Sequence, residues 1–198
     1  MVSLLSDKLA QKLVDYGVVS SDDLDTYQFG IQGLIVKTIH IITYLIIGLL
    51  FHQVFEVIIF TFAYVSLRKY AGGYHADTQV RCYLLSCLLI LTAMSFIHLM
   101  VNCSFIVIVT IVLLLFSSPF IFLLSLVEDQ NKPLDDVETQ RYRNISRIIL
   151  LIEIIIAILF LLLGLRRISF IVSLGLDMLA FMLVAGKAKN RFHVCVLK

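Results

Sequence analysis

Six stretches of the chain, residues 34–51, 54–67, 83–101, 104–127, 148–165 and 168–186, consist almost wholly of apolar side chains. A run of this kind near 20 residues long spans the hydrocarbon core of a bilayer as a helix that satisfies its own backbone. The 14-residue run at 54–67 is short for a core of about 30 Å, so its flanking residues have to extend it. With 60% hydrophobic residues, 15% charged residues and a mean hydropathy of +0.99, the chain lies outside the composition of soluble domains. A β-barrel would need short alternating segments instead. The expected fold is an all-α polytopic membrane protein with about six transmembrane helices, forming a single domain over residues 1–198.

Residues 1–20 precede these spans. Val2, Leu5, Leu9, Leu13 and Tyr16 recur at three- and four-residue intervals, with Asp7, Lys8, Lys12 and Asp15 between them. That pattern predicts an amphipathic helix lying on the membrane, with Gly17 as its terminator. The segment has no compact apolar centre or small-residue cleavage site, so it is expected to stay in the mature chain. Ser20 or Ser21 then caps the helix that leads into the first span, with Asp22 and Asp23 in its first turn. His52 and Gln53 break the first two spans, and Arg166 with Arg167 are expected to form the hairpin between the last two.

Six spans bring both termini to one side. If that side is the cytoplasm, only Arg166 and Arg167 of the sixteen Lys and Arg residues fall outside, a strong positive-inside bias. Two longer polar segments then face the cytoplasm, residues 68–82 and the loop at 128–147. The second mixes acids and bases such as Asp135, Glu138, Arg141 and Arg147, as solvated faces commonly do, although it could also dock a peptide. No basic and aromatic stripe points to nucleic acid.

The segment 68–82, "RKYAGGYHADTQVRC", contains His75 and Cys82, which can act as a general base and a nucleophile. A thiol gains reactivity beside an imidazole, a positive charge or a helix N-terminus, and Cys82 lies where the third span begins, next to Arg81. In one continuous helix the seven-residue spacing would separate the pair by about 10.5 Å along the axis. The chain therefore has to bend between them, and adjacent Gly72 and Gly73 permit the positive φ of such a turn. The plain alternative is that the glycines end a span, His75 is a loop residue and Cys82 fills space. A single His and Cys pair is a weak motif on spacing alone. Cys87, Cys103 and Cys195 have no base beside them, and no CxxC spacing or His cluster points to zinc or a disulfide framework.

The stretch "RKYAGGYHADTQVRCY", residues 68–83, resembles the signature of the accessory gene regulator B (AgrB) family: basic residues ending a span, a small-residue turn, a histidine, and a cysteine seven residues later. "NKPLDDVETQRYRNIS", residues 131–146, is similar to a loop of that family, and the length and six-span pattern agree. The resemblance implies a membrane cysteine endopeptidase that cleaves the C-terminal part of a quorum-sensing propeptide. It also implies closure of the remainder to a thiolactone or lactone, with Cys82 as nucleophile and His75 as base. It further implies a small amphipathic propeptide as substrate, the cell membrane of a Gram-positive bacterium as location, and a homodimer. No metal or organic cofactor is expected. Arg68 and Lys69 either bind precursor carboxylates or anchor their span. The sequence names no oxyanion donor; the backbone N–H of Cys82 is one candidate.

Glu153 and Asp177 lie within the fifth and sixth runs, where a carboxylate is costly and marks either a pathway or an interhelical hydrogen bond. They carry the alternative reading, a small transporter or peptide-export component. His40 is expected to hydrogen-bond between helices, and Glu56 and His98 to sit near the outer interface where water reaches them.

Overall fold

A computed structural model describes residues 2–74, 76, 78–125 and 135–196, without the side chains of Asp136 and residues 191–196. Seven α-helices follow one another: α1 (Val2–Asp15), α2 (Leu24–Leu50), α3 (Val54–Ala71), α4 (Gln79–Met100), α5 (Ile106–Leu124), α6 (Asp136–Leu162) and α7 (Arg166–Val196). No strand occurs among the described residues. By length and composition, α2, α4, α5, α6 and α7 can cross a membrane. The remaining apolar run forms α3, which is 18 residues long and contains Glu56, Arg68 and Lys69. Those three charges separate it from the five.

The chain divides into two compact units, residues 1–46 and 47–198. In the first, α1 ends where Gly17 takes a φ of +67° and its N–H bonds Val14 O at 2.8 Å, as the sequence leads one to expect. Ser20 caps the short 3-10 turn Ser21–Asp23 by accepting the N–H of Asp22. Gln28 of α2 donates to the carboxylate of Asp7 on α1. His40 turns inward to its own helix, with Nδ1 2.8 Å from Val36 O.

The second unit is organised around α7, which packs against α5, α3, α6 and α4. In its most apolar stretch 67% of residues are buried, against 28% or fewer in the other four candidate spans. The outward faces carry side chains such as Phe62, Leu115, Leu123 and Leu162, each more than two-thirds exposed. This apolar exterior suits lipid, where helix association comes from close packing and interhelical hydrogen bonds. Small residues provide that packing: a Cβ on Gly175 would lie 3.3 Å from the Cβ of Ala63. Ser169 Oγ of α7 donates to Ala157 O of α6 at 2.7 Å.

Helices α3 and α7 run parallel. Arg167 near the start of α7 pairs with Glu56 near the start of α3, Gly175 lies against Phe60, Ala63 and Tyr64, and Gly186 lies against Gly73 and Tyr74. Three expectations change in this unit. The last hairpin is made by residues 163–165, where Gly164 has a φ of +79°, while Arg166 and Arg167 open α7. Arginine opposes the helix dipole there, and the Glu56 carboxylate offsets it. Glu56 is accordingly buried rather than bathed by water. The polar segment at 128–147 is helical from Asp136 onward, because a polar face does not stop a helix that lacks Gly or Pro; residues 126–134 lie outside the described residues.

Candidate functional site

Helix α3 ends at a turn that two glycines make possible. Gly72 has a φ of +80° and Gly73 of +141°, both in the region where a side chain is strained, and the Gly72 N–H closes the helix on Arg68 O at 3.0 Å. The next residue, Tyr74, is held from several directions. Its N–H donates to Met182 O of α7 at 2.9 Å, and its carbonyl accepts Nη2 of Arg68 at 2.8 Å. The Lys189 ammonium lies 5.2 Å from the centre of its ring. Arg68 also donates through Nη1 to the Tyr64 hydroxyl at 2.5 Å. Its guanidinium therefore braces the turn from inside, where the sequence offered either a substrate-binding or an anchoring role. Lys69 is exposed and stands over the ring of Tyr70, which meets Tyr142 of α6 edge-on.

Helix α4 starts at Gln79 with Thr78 as its N-cap, in extended conformation. Thr78 Oγ1 accepts the Arg81 N–H, and its carbonyl accepts the Cys82 N–H at 3.0 Å. The chain enters the helix only three residues before the cysteine, so Cys82 and the extended Thr78 do not belong to one continuous helix reaching back through 78. Sequence reasoning placed Cys82 near a helix start but did not single out Thr78. A threonine immediately before a helical run is the signal that could have found it. The cap also removes the Cys82 N–H as an oxyanion donor, since that group is already bonded to Thr78. Cys82 is half-buried and free of any disulfide, as are Cys87 and Cys103. Helical side chains lean toward the N-terminus, so the thiol is directed back over the first turn of α4. His75, Asp77 and the Cys195 side chain lie outside the described residues.

The two carboxylates singled out within the spans have different settings. Glu153 of α6 is buried and accepts the Ser66 hydroxyl of α3 at 2.6 Å, an interhelical hydrogen bond, while its Oε2 has no partner. Asp177 of α7 is also buried. At the opposite end of α3 and α7 a cavity of about 440 Å³ lies between Phe55, Glu56 and the turn from Gly164 to Arg167.

These features define a multi-pass membrane protein with a half-buried thiol in the first turn of a capped helix, directly after a braced glycine turn. The profile of the accessory gene regulator B family matches residues 6–183. Two relatives from Clostridium perfringens, named AgrB-like proteins, share 33% identity (strain SM101) and 32% identity (strain 13) over 165 residues. In each case the alignment covers 80% of this chain and 77% of the relative. No solved structure matches. The chain belongs to the accessory gene regulator B family, and membership implies a part in accessory gene regulator autoinducer processing.

Proposed function

We propose that the protein is a membrane cysteine endopeptidase that cleaves a quorum-sensing propeptide and promotes its cyclisation. The observation that carries this reading is Cys82 in the Thr78-capped first turn of α4, in a chain of this family. The Cys82 thiolate attacks the carbonyl carbon of the scissile peptide bond, and His75, charged after taking the thiol proton, returns a proton to the departing amine. The C-terminal part of the propeptide leaves and the remainder stays as a thioester on Cys82. A cysteine or serine side chain of that remainder, deprotonated by His75, attacks the thioester. The lactone or thiolactone closes and the Cys82 sulfur is released to regain its proton from His75. Thioester exchange keeps the acyl group activated between the two steps, which suits a cysteine nucleophile.

The substrate of this reading is a small amphipathic propeptide at the inner face of the cell membrane. Both termini of the enzyme and the segment 68–82 are cytoplasmic, as the distribution of Lys and Arg favours. The working form is a homodimer, as the family resemblance implies. The oxyanion donors of this reading are the Gln79 and Val80 amides in the first turn of α4, which precede the first intrahelical bond.

The test is whether the purified protein in liposomes cleaves a small amphipathic propeptide with a central Cys or Ser and an acidic tail. Cys82→Ala and His75→Ala should each abolish cleavage with insertion unchanged, and continued processing in either variant sinks the reading. One observation favours the transporter alternative, the unpartnered Oε2 of buried Glu153. Glu153→Gln should leave cleavage near the native rate; loss of peptide export with cleavage intact would support that alternative instead.

A further inference from the structure

We propose that the stretch of α7 from Met182 to Gly186 is a seat for the turn preceding His75, and that Gly186 is a positioning residue for the His75 and Cys82 pair. The inference rests on the endopeptidase reading and concerns how its two reactive side chains, seven residues apart in sequence, come to a fixed separation.

A Cβ built on Gly186 would lie 2.9 Å from the Gly73 carbonyl carbon, 2.9 Å from the Tyr74 nitrogen and 3.1 Å from the Gly73 oxygen. All three are backbone atoms, so no side chain can rotate away to make room. The absent side chain thus lets the turn approach α7 closely enough for the Tyr74 N–H to reach Met182 O, one helical turn before Gly186. With Arg68 on the Tyr74 carbonyl, both backbone polar groups of that residue are fixed by partners outside the turn. His75 is the next residue in the sequence.

The same helix holds the other half of the pair at matching height. Phe96 of α4 packs on Phe170 of α7, ring centres 5.7 Å apart. Phe96 lies 14 residues beyond Cys82 and Phe170 lies 16 residues before Gly186, about 21 and 24 Å of helix at 1.5 Å per residue. Because α4 leaves from the end at which α3 finishes, it runs antiparallel to α7. Counting from that shared aromatic contact brings Cys82 to within about one helical turn of the level of Gly186. Helix α7 is therefore the common frame: it holds α4 through Phe170 and the turn through Met182 and Gly186.

The experiment uses the full chain in liposomes with Cys87, Cys103 and Cys195 replaced by Ala, reading propeptide cleavage and the pH dependence of Cys82 alkylation. Gly186→Ala should lower kcat by about 100-fold, the usual consequence of displacing a reacting group by about 1 Å, with KM little changed. Its alkylation profile should move toward that of His75→Ala. Gly175→Ala serves as the control, because its new Cβ meets Ala63 on the same α3 and α7 interface, away from the turn. It should keep kcat within a few-fold of native and leave the alkylation profile unmoved. Arg68→Lys, which keeps the charge but not the two-pronged hold on Tyr64 and Tyr74, should reproduce the Gly186→Ala signature more weakly, and it decides the matter if Gly186→Ala fails to insert. Native kcat in Gly186→Ala, or equal losses in Gly175→Ala and Gly186→Ala, overturns the inference. Cleavage by Cys82→Ala overturns the endopeptidase reading itself, so the two failures are separable.

Discussion

The parallel pair α3 and α7 is joined differently at its two ends. At the starts of both helices the link is an ion pair, Glu56 to Arg167, beside a cavity. At the other end the link is backbone against backbone, Gly73 and Tyr74 on Met182 and Gly186. A side-chain link tolerates small displacements, because rotamers and water can absorb them. A backbone link with no Cβ between its partners has one geometry. The end that carries the candidate thiol is the one built to a fixed spacing, and the opposite end is built to be forgiving.

Substitutions can break this contrast, and the largest effect is expected at Gly73. Gly73→Ala puts a side chain at a φ of +141° and 3.2 Å from the Arg68 guanidinium, so cleavage should fall to near background while Cys82 can still be alkylated. Retained native cleavage would show that the turn is not held rigidly. Arg68→Ala comes next: it strips partners from the Tyr74 carbonyl and the Tyr64 hydroxyl, and should lower stability by about 1–3 kcal/mol as well as activity. Thermal unfolding in detergent, followed by thiol exposure, measures the first effect and liposome cleavage the second.

At the forgiving end the two halves of the ion pair should not be equivalent. Arg167→Gln leaves the Glu56 carboxylate buried without its cation and should cost about 1–3 kcal/mol. Glu56→Gln leaves only a half-exposed arginine that water can solvate, and should cost less than about 1 kcal/mol. Neither should alter kcat by more than a few-fold. If Glu56→Gln slows cleavage as much as Arg68→Ala does, the contrast between the two ends is wrong.

Much of this architecture is legible in the chain read residue by residue. The apolar runs name the helices, Gly17 marks the end of α1, and Ser20 marks the approach to α2. Gly72 and Gly73 announce the turn that ends α3, and α4 begins after an extended Thr78 just before Cys82. Elsewhere local pattern misled. Arg166 and Arg167 looked like a hairpin because they interrupt an apolar run, yet Gly164 makes the turn and the arginines are already helical. Gly186 looked like the end of a span, although α7 continues to Val196 and uses that glycine in its interior.

The sequence by itself determined that the chain forms apolar helices, where several of them start and stop, and that a thiol stands at the beginning of one. Those properties depend on hydropathy, on capping hydroxyls and on glycine φ, all of which act over one or two turns of chain. Only the tertiary structure decided that Arg68 braces the turn, that Glu56 is buried against Arg167, and that α7 is the central helix. Only it brought Gly186 against Gly73, 113 residues earlier in the chain. The physical reason is that such an approach depends on a side chain being absent at one point where two distant backbones cross, and a missing Cβ leaves no local pattern until the partner is in place.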